Sequence, residues 1–238
     1  MTPHLVFTLS ATLAAMGDLA GHERRGTLTW PGRSAVLGLS GAALGFRRGD
    51  DFAALDALSV AVAVFDDGSS LRDYHTVQTV PSAAARRPNS RPEAMRKAGP
   101  QRLNTTITLR DYRTGVLYGV AMAGDADLLE RLCAALAQPV FTLYLGRKAC
   151  PLSAPLAPVL TQAEGPEQAM AALRLPPWHA RDRRGAPLVA RTLYADAGPG
   201  DVQVEQRHDQ PRDRGLWHFA PRRVSVRQVA IVGQGAAP

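Results

Sequence analysis

The order of apolar segments along the chain restricts the possible folds more than any other feature. Short β-branched and aromatic runs at 4–10 and 59–65 predict strands, and the helix-length apolar run 33–46 lies between them. A second group repeats this order, with a strand, a helix and a strand predicted at 115–123, 125–139 and 140–146. The two groups together predict an α+β fold with a ferredoxin-like, RRM-like βαββαβ body.

A long basic excursion separates the two groups. Residues 81–102 contain four prolines and almost no side chain that a core could bury, and eight basic residues in 86–113 face only Glu93 and Asp111. The flanks at 74–80 and 104–110 alternate and carry Val and Thr, which favours paired strands. We therefore expect a basic hairpin arm, about 74–110, inserted in the body, with a tip that is disordered unless a partner orders it.

The remainder of the chain, after residue 150, is predicted to form a second unit. Residues 1–150 are predicted to form the ferredoxin-like body, and a proline-rich connector follows Cys150. A short helix at 166–174 and a small C-terminal β lobe at 186–232 complete the second unit, 151–238. Ten basic residues lie between Arg181 and Arg227.

Charge and motifs narrow the class of function. Lys and Arg number 28 against 21 Asp and Glu, a net charge of +7, which suggests an anionic partner such as nucleic acid. The chain lacks a phosphate-binding GxxxxGK[ST] motif, and its six histidines show no metal-ligand spacing, so we expect neither a cofactor nor a metal. No apolar run approaches the ~20 residues of a membrane span. Two cysteines and no signal peptide favour the cytoplasm and exclude a disulfide scaffold.

One short segment contains several kinds of reactive or ligand-binding side chain. Leu71 to Thr76, LRDYHT, holds a guanidinium, a carboxylate, a phenol and an imidazole within six residues. Three interpretations stay open: a solvated strand start, an RNA contact in which Tyr and His stack on bases, and metal-free RNA cleavage with His or Tyr as general base. The segment 144–148, YLGRK, has the same mixture, and its glycine would let another backbone approach closely.

Six segments carry a resemblance to a known family. They are WPGRSAVLGLSGAALG (30–45), LRDYHT (71–76), TLRDYRTGVLYGVAM (108–122), LYLGRKACPLSAPL (143–156), RHDQP (207–211) and FAPRRVSVRQVAI (219–231). In these segments the chain resembles the CasD family, a subunit of the type I-E CRISPR Cascade complex that holds the 5′ handle of the guide RNA. The arm tip, 81–103, does not match that family at residue level.

The resemblance implies a binding role without catalysis. A subunit of this kind caps the 5′ handle of the crRNA, joins the backbone subunits to the large PAM-sensing subunit, and supports recognition of target DNA indirectly in antiviral defence. Corresponding subunits of another subtype cleave the precursor RNA, so a metal-independent endoribonuclease that processes CRISPR repeat RNA remains the alternative.

The resemblance also implies site residues. Arg110 would be the contact between the thumb hairpin and RNA, and Arg33 with Ser34 would bind phosphate at the N-terminus of a buried helix. Further residues would line the path of the handle: Arg72, Tyr74, His75, Tyr112, Tyr144, Arg147 and Lys148. No catalytic residue is assigned.

Overall fold

The computed structural model describes residues 1–18, 21, 23–182, 184–216 and 218–235. The strands are β1 (Thr2–Ala14), β2 (Arg24–Arg25), β3 (Ser59–Asp66), β4 (Ser69–Thr79), β5 (Asn104–Ala123), β6 (Val159–Ala163), β7 (Arg174–Leu175), β8 (Val189–Asp196), β9 (Val204–Asp213), β10 (His218–Val232) and β11 (Gln234–Gly235). The α-helices are α1 (Arg33–Leu44), α2 (Ala53–Asp56), α3 (Arg91–Ala98), α4 (Ala126–Ala137) and α5 (Pro166–Ala169). Short 3₁₀ turns occupy Pro100–Arg102, Met170–Ala172 and Pro177–His179.

One large sheet organises the molecule. Its strand order is β6-β1-β5-β3-β8-β10-β9, and β2 and β4 pair with β5 outside this path. Among the described residues, every pairing in this sheet is antiparallel except the short one between β2 and β5. The strands β7 and β11 form a separate parallel pair. The C-terminal strands continue this sheet, because β8 pairs with β3 at Val62 and Tyr194. The segment that we predicted as a small separate lobe is thus hydrogen-bonded to the body.

Each face of the sheet buries its own apolar cluster. In β1, Leu5, Phe7 and Leu9 belong to the cluster beneath α1 and α4, whereas Val6 belongs to the cluster on the other face. Helix α4 contributes Leu129 and Leu132 to the first cluster; burial of such a side chain is worth about 1.5–3 kcal/mol. The second cluster is covered by the 3₁₀ turn at Met170 and the residues after it. The predicted helices α1 and α4 are confirmed.

The predicted strand at 140–146 is wrong. Val140 and Phe141 donate their backbone N–H groups to the carbonyl oxygens of Ala43 (3.0 Å) and Ala42 (3.3 Å) at the end of α1. The backbone N–H groups at the start of this segment are therefore hydrogen-bonded to the C-terminal end of α1 and not to a strand. The side chains of Leu143 and Leu145 are buried in the first core cluster. The strand that pairs with the outer side of β1 is β6, farther along the chain.

The inserted arm is an extended hairpin. Strands β4 and β5 pair without a register shift from Ser69 opposite Thr114 to Thr79 opposite Asn104. The tip differs from the expected disorder because it contains helix α3. Ser90 caps this helix by accepting a hydrogen bond from the N–H of Glu93 at 3.4 Å, as N-cap serines commonly do. No helix among the described residues is long and apolar enough to cross a membrane.

Candidate nucleic-acid interface

The predicted 144–148 motif lies in a loop docked against the end of β1. The N–H of Leu145 donates to the carbonyl oxygen of Cys150 at 2.8 Å, and the N–H of Cys150 donates to that of Arg147 at 2.8 Å. The loop is also tied to the sheet, because the N–H of Ala15 donates to the carbonyl oxygen of Leu145 at 3.1 Å. We call residues 144–151 the Arg147 loop. Its backbone is fixed before any ligand binds.

Gly146 makes this docking possible. Its φ is +90°, and a Cβ atom built on it would lie 1.5 Å from the carbonyl oxygen of Ala15. Such a conformation and such a close approach are available only to glycine. The predicted close backbone approach at this position is confirmed.

Arg147 is held over an aromatic ring. Its guanidinium carbon lies 4.5 Å from the ring centre of Tyr112, a cation–π contact. Its N–H groups also donate to the carbonyl oxygens of Asp111 (3.3 Å) and Arg25 (3.2 Å). Tyr112 itself is buried beside Ala15, so it is not an open stacking surface for a base. Its ring supports Arg147 from below.

Asp111, whose backbone carbonyl oxygen accepts from Arg147, also binds two further arginines through its carboxylate. Its carboxylate accepts from Arg72 Nε at 2.7 Å and from Arg24 Nε at 2.9 Å. The hydrogen bond from Arg72 holds the pKa of Asp111 below its ordinary value, with Arg24 acting in the same direction. The carboxylate is therefore ionised at neutral pH and orients both guanidinium groups. Sequence reasoning missed Arg24 and Arg25, although the adjacent pair of basic residues was a visible signal.

Three arginines meet at Asp111: Arg24 and Arg72 at its carboxylate, and Arg147 at its backbone carbonyl oxygen. We call Arg24, Arg72, Arg147 and the exposed Lys148 that follows it in the loop the hairpin-base surface. The guanidinium groups offer planar, multiple N–H donors, which suit phosphate oxygens. Tyr144, at the start of the Arg147 loop, is partly exposed and adds an aromatic ring at the edge.

The two predicted aromatic groups of β4 do not share a face. Tyr74 is 72% exposed and lies opposite Leu109, while His75 is half-buried opposite Thr108. Consecutive residues of a strand point to opposite faces, so the phenol and the imidazole diverge. Tyr74 lies on the face of Arg72, two residues earlier. An acid/base pair built from Tyr74 and His75 is therefore not assembled.

Arg110 lies on the hairpin opposite Asp73. Its side chain is half-buried, and its Nε is buried with no hydrogen-bond partner among the residues that the structure describes. Because Arg110 precedes Asp111 in β5, its side chain lies on the opposite face of the hairpin from Asp111 and Arg72.

The predicted phosphate site at Arg33 and Ser34 does not fit the structure. Arg33 is 5% exposed, and its guanidinium donates to the carbonyl oxygen of Asp56 at 2.7 Å. The helix N-terminus already binds an anion, because the N–H of Arg33 donates to a carboxylate oxygen of Asp209 at 2.7 Å. Ser34 is half-buried in the same turn. Arg33 is buried and Ser34 is half-buried, so neither residue offers an open phosphate site.

The carboxylate at α1 is part of a buried ionic network. Arg222 donates to both oxygens of Asp209, at 2.9 and 2.8 Å, and to Asp196 at 2.7 Å. Arg33 lies 3.5 Å from the same Asp196. This network links α1 to β8, β9 and β10. It explains why two of the resembling segments, 30–45 and 207–211, meet in space.

Within the described part of the chain, no group of three or more His, Cys, Asp or Glu side chains is arranged to hold a metal ion. Burial raises the pKa of the Cys150 thiol, so this cysteine stays protonated beneath the Arg147 loop. The hairpin-base surface therefore offers a ligand oriented guanidinium groups and aromatic rings.

Comparisons with known proteins agree with this reading. The sequence matches the family described as CRISPR-associated protein (Cas_Cas5) over residues 4–225. It is 34% identical over 185 residues to the CRISPR system Cascade subunit CasD of Escherichia coli (strain K12), covering 71% of this chain and 76% of that protein.

Two solved structures share the fold. One is a chain of a CRISPR RNA-guided surveillance complex, with a TM-score of 0.69, 24% identity, and coverage of 99% of this chain and 94% of that chain. The other is a Cas protein crystal structure, with a TM-score of 0.61, 26% identity, and coverage of 96% and 95%. Since the family match spans nearly the whole sequence, the chain belongs to the Cas5 family of CRISPR-associated proteins.

Proposed function

We propose that this chain is a subunit of a type I-E CRISPR Cascade complex and that it binds the 5′ handle of the crRNA. The named relative is a Cascade subunit, and its similarity covers 71% of this chain. The resembling segments LRDYHT and YLGRK contribute Arg72, Arg147 and Lys148 to the hairpin-base surface. A cationic loop built from segments that resemble the CasD family supports a role in binding the handle.

The observation that carries the proposal is the construction of the Arg147 loop. Gly146 permits a backbone approach that no other residue allows, and Tyr112 holds the guanidinium in place. Fixing a cation in this way lowers the entropy that RNA binding must remove. Single-stranded RNA is held by phosphate contacts and by stacking of unpaired bases. Arg147 and Arg72 suit the phosphates, and Tyr74 and Tyr144 suit the bases.

The fold is consistent with this assignment. The strand order β6-β1-β5-β3 is the order fourth, first, third, second of a ferredoxin-like βαββαβ sheet, with β6 as the final strand. In this reading the β4–β5 hairpin is the thumb. Arg110 would contact RNA at the base of the thumb, and His75, two residues after the Asp73 that lies opposite Arg110, would line the same face.

The same geometry favours binding over cleavage. Metal-independent cleavage needs a general base and an acid that converge on one ribose. Tyr74 and His75 lie on opposite faces of β4, which separates the two groups best suited to those roles. The partners are then the crRNA, the backbone subunits and the large PAM-sensing subunit, with target DNA contacted indirectly through the guide.

A binding experiment tests the proposal. Wild-type protein is titrated with an RNA that carries the repeat-derived 5′ handle, in EDTA, and the RNA is then examined for cuts. We expect tight binding without cleavage. The double variant Arg147→Ala/Lys148→Ala should weaken binding about tenfold or more, because two charge-assisted contacts are lost.

The matched control is Arg131→Ala, which removes an exposed arginine from α4, away from the hairpin. This variant should bind like the wild type. If Arg131→Ala lost about half as much binding free energy as the double variant, net charge alone would determine binding, because the control removes one charge and the double variant removes two. A discrete cut within the repeat would instead establish the nuclease alternative.

A further inference from the structure

A second surface combines an exposed aromatic ring with arginines, far along the chain from the hairpin-base surface. Trp178 is 61% exposed and lies in the 3₁₀ turn Pro177–His179, between β7 and β8. Its indole offers solvent a large aromatic face on which a ligand could stack. We call residues 176–182 and 184–188 the Trp178 loop.

The Trp178 loop is internally braced. The N–H of Asp182 donates to the carbonyl oxygen of Ala186 at 2.8 Å, and the N–H of Leu188 donates to that of Ala180 at 3.1 Å. A carboxylate oxygen of Asp182 accepts from the backbone N–H groups of Arg184 (2.8 Å) and Ala186 (2.9 Å). Ala180 and Leu188 also pack against the second core cluster. The loop thus presents Trp178 from a fixed base.

Exposed arginines lie within the loop and next to it in the chain. Arg181 and Arg184 are exposed in the loop, and Arg174 and Arg191 are exposed just before and after it. The carboxylate of Asp182 is occupied within the turn. One N–H of Arg181 donates to the carbonyl oxygen of Gly185 at 2.7 Å, which orients this guanidinium and leaves its remaining donors for a ligand.

The composition of the loop favours nucleic acid over protein. Of the described residues between 170 and 195, Trp178 is the one large apolar side chain that is strongly exposed. The centre of a protein–protein interface is instead a contiguous apolar patch that is poor in charges. An isolated aromatic face among arginines is the arrangement that binds single strands, because the ring stacks on an unpaired base while cations neutralise phosphates.

The loop is separate from the hairpin-base surface. A cavity of about 500 Å³ lies between the loop and the turn that starts the hairpin, lined by Asp182 and Arg191 on one side and by Asp66 and Asp67 on the other. The Trp178 loop and the hairpin-base surface are therefore distinct in position.

We propose that the Trp178 loop is a second binding site for single-stranded nucleic acid, in which a base stacks on Trp178 and Arg181 and Arg184 contact the flanking phosphates. A free stretch of guide RNA and an unpaired DNA strand offer the same chemistry. The site goes beyond the proposed handle-binding function and does not depend on the Arg147 loop.

The full-length protein is titrated with oligouridine, oligothymidine and a DNA duplex of equal length, with tryptophan fluorescence and affinity as readouts. We expect single strands to quench fluorescence in the wild type and much less in Trp178→Phe. Trp178→Ala should weaken single-strand binding about tenfold. Trp178→Phe should retain most of the affinity, because it keeps a ring. A preference for oligouridine or for oligothymidine identifies RNA or DNA as the source, and both results support the site.

Charge and fold controls complete the test. Arg184→Ala should reduce the log–log salt slope by about 0.7, the value for one phosphate on a single strand, while Arg131→Ala should not. Thermal unfolding of each variant verifies that it folds. In Arg147→Ala/Lys148→Ala the quenching of Trp178 should persist even if handle binding is lost, so the two proposals fail independently.

Three results would overturn the site. The first is unchanged single-strand affinity in Trp178→Ala, and the second is identical quenching in the wild type and Trp178→Phe. The third is a loss of a neighbouring protein subunit from complexes of Trp178→Ala while oligonucleotide affinity is unchanged, which would make the loop a protein interface.

Discussion

Two arginines, each within a resembling segment, have opposite environments. Arg147 stays at the surface because Gly146 and Tyr112 fix it there. Arg33 is withdrawn into the interior because Asp209, 176 residues away in sequence, occupies the helix terminus that a phosphate would need. Local sequence could predict that both positions attract anions. It could not predict that the protein supplies its own anion at one of them, since that depends on a distant strand.

Glycine substitutions test the Arg147 loop at this scale. Gly146→Ala should lower the free energy of unfolding by at least about 1–3 kcal/mol, because φ is +90° and the new Cβ meets the carbonyl of Ala15. It should also weaken handle RNA binding. The control is Gly38→Ala, at an exposed position of α1 with open space around the new Cβ; it should stabilise the protein by about 0.5–1 kcal/mol. Urea unfolding of both variants measures the difference, and equal effects would contradict the account.

At the scale of elements, the periodicity of apolar residues correctly predicted the helices and strands whose formation depends mainly on local sequence. The strands at 4–10 and 59–65, the helix after Asp125 and the pairing of 74–80 with 104–110 are all confirmed. The error at 140–146 has a physical cause: the alternating apolar residues are buried, but the backbone bonds to the end of α1 instead of to a strand. An alternating pattern of buried side chains is compatible both with a strand and with a loop bonded to a helix end, so the pattern alone cannot distinguish them.

The tip of the hairpin provides a prediction of its own. Ser90→Ala removes the cap of α3, which is worth about 1 kcal/mol, and should speed hydrogen exchange of the α3 amides about fivefold. Amides of β1 should be unaffected, because α3 lies outside the central core. Hydrogen–deuterium exchange of the wild type and the variant provides the measurement. If exchange rises equally in β1 and α3, then the tip unfolds only with the whole molecule.

At the scale of the whole molecule, the C-terminal strands extend the sheet of the body through β8 and β3. The ionic network of Arg33, Asp196, Asp209 and Arg222 closes the junction on the α1 side. Sequence placed a mixed β segment at 186–232 but could not predict which strand edge it would join. That choice depends on contacts between residues far apart in the chain.

The central claim is that the hairpin-base surface holds the 5′ handle of the guide RNA. The most direct measurement is photo-cross-linking in a complex reconstituted with the neighbouring subunits, using guide RNA with 4-thiouridine in the handle, followed by mass spectrometry. The account predicts cross-linked peptides from the Arg147 loop and from β4 around Arg72 and Tyr74. Cross-links confined to the outer face of α4, or to the Trp178 loop, with none at the hairpin base, would contradict it.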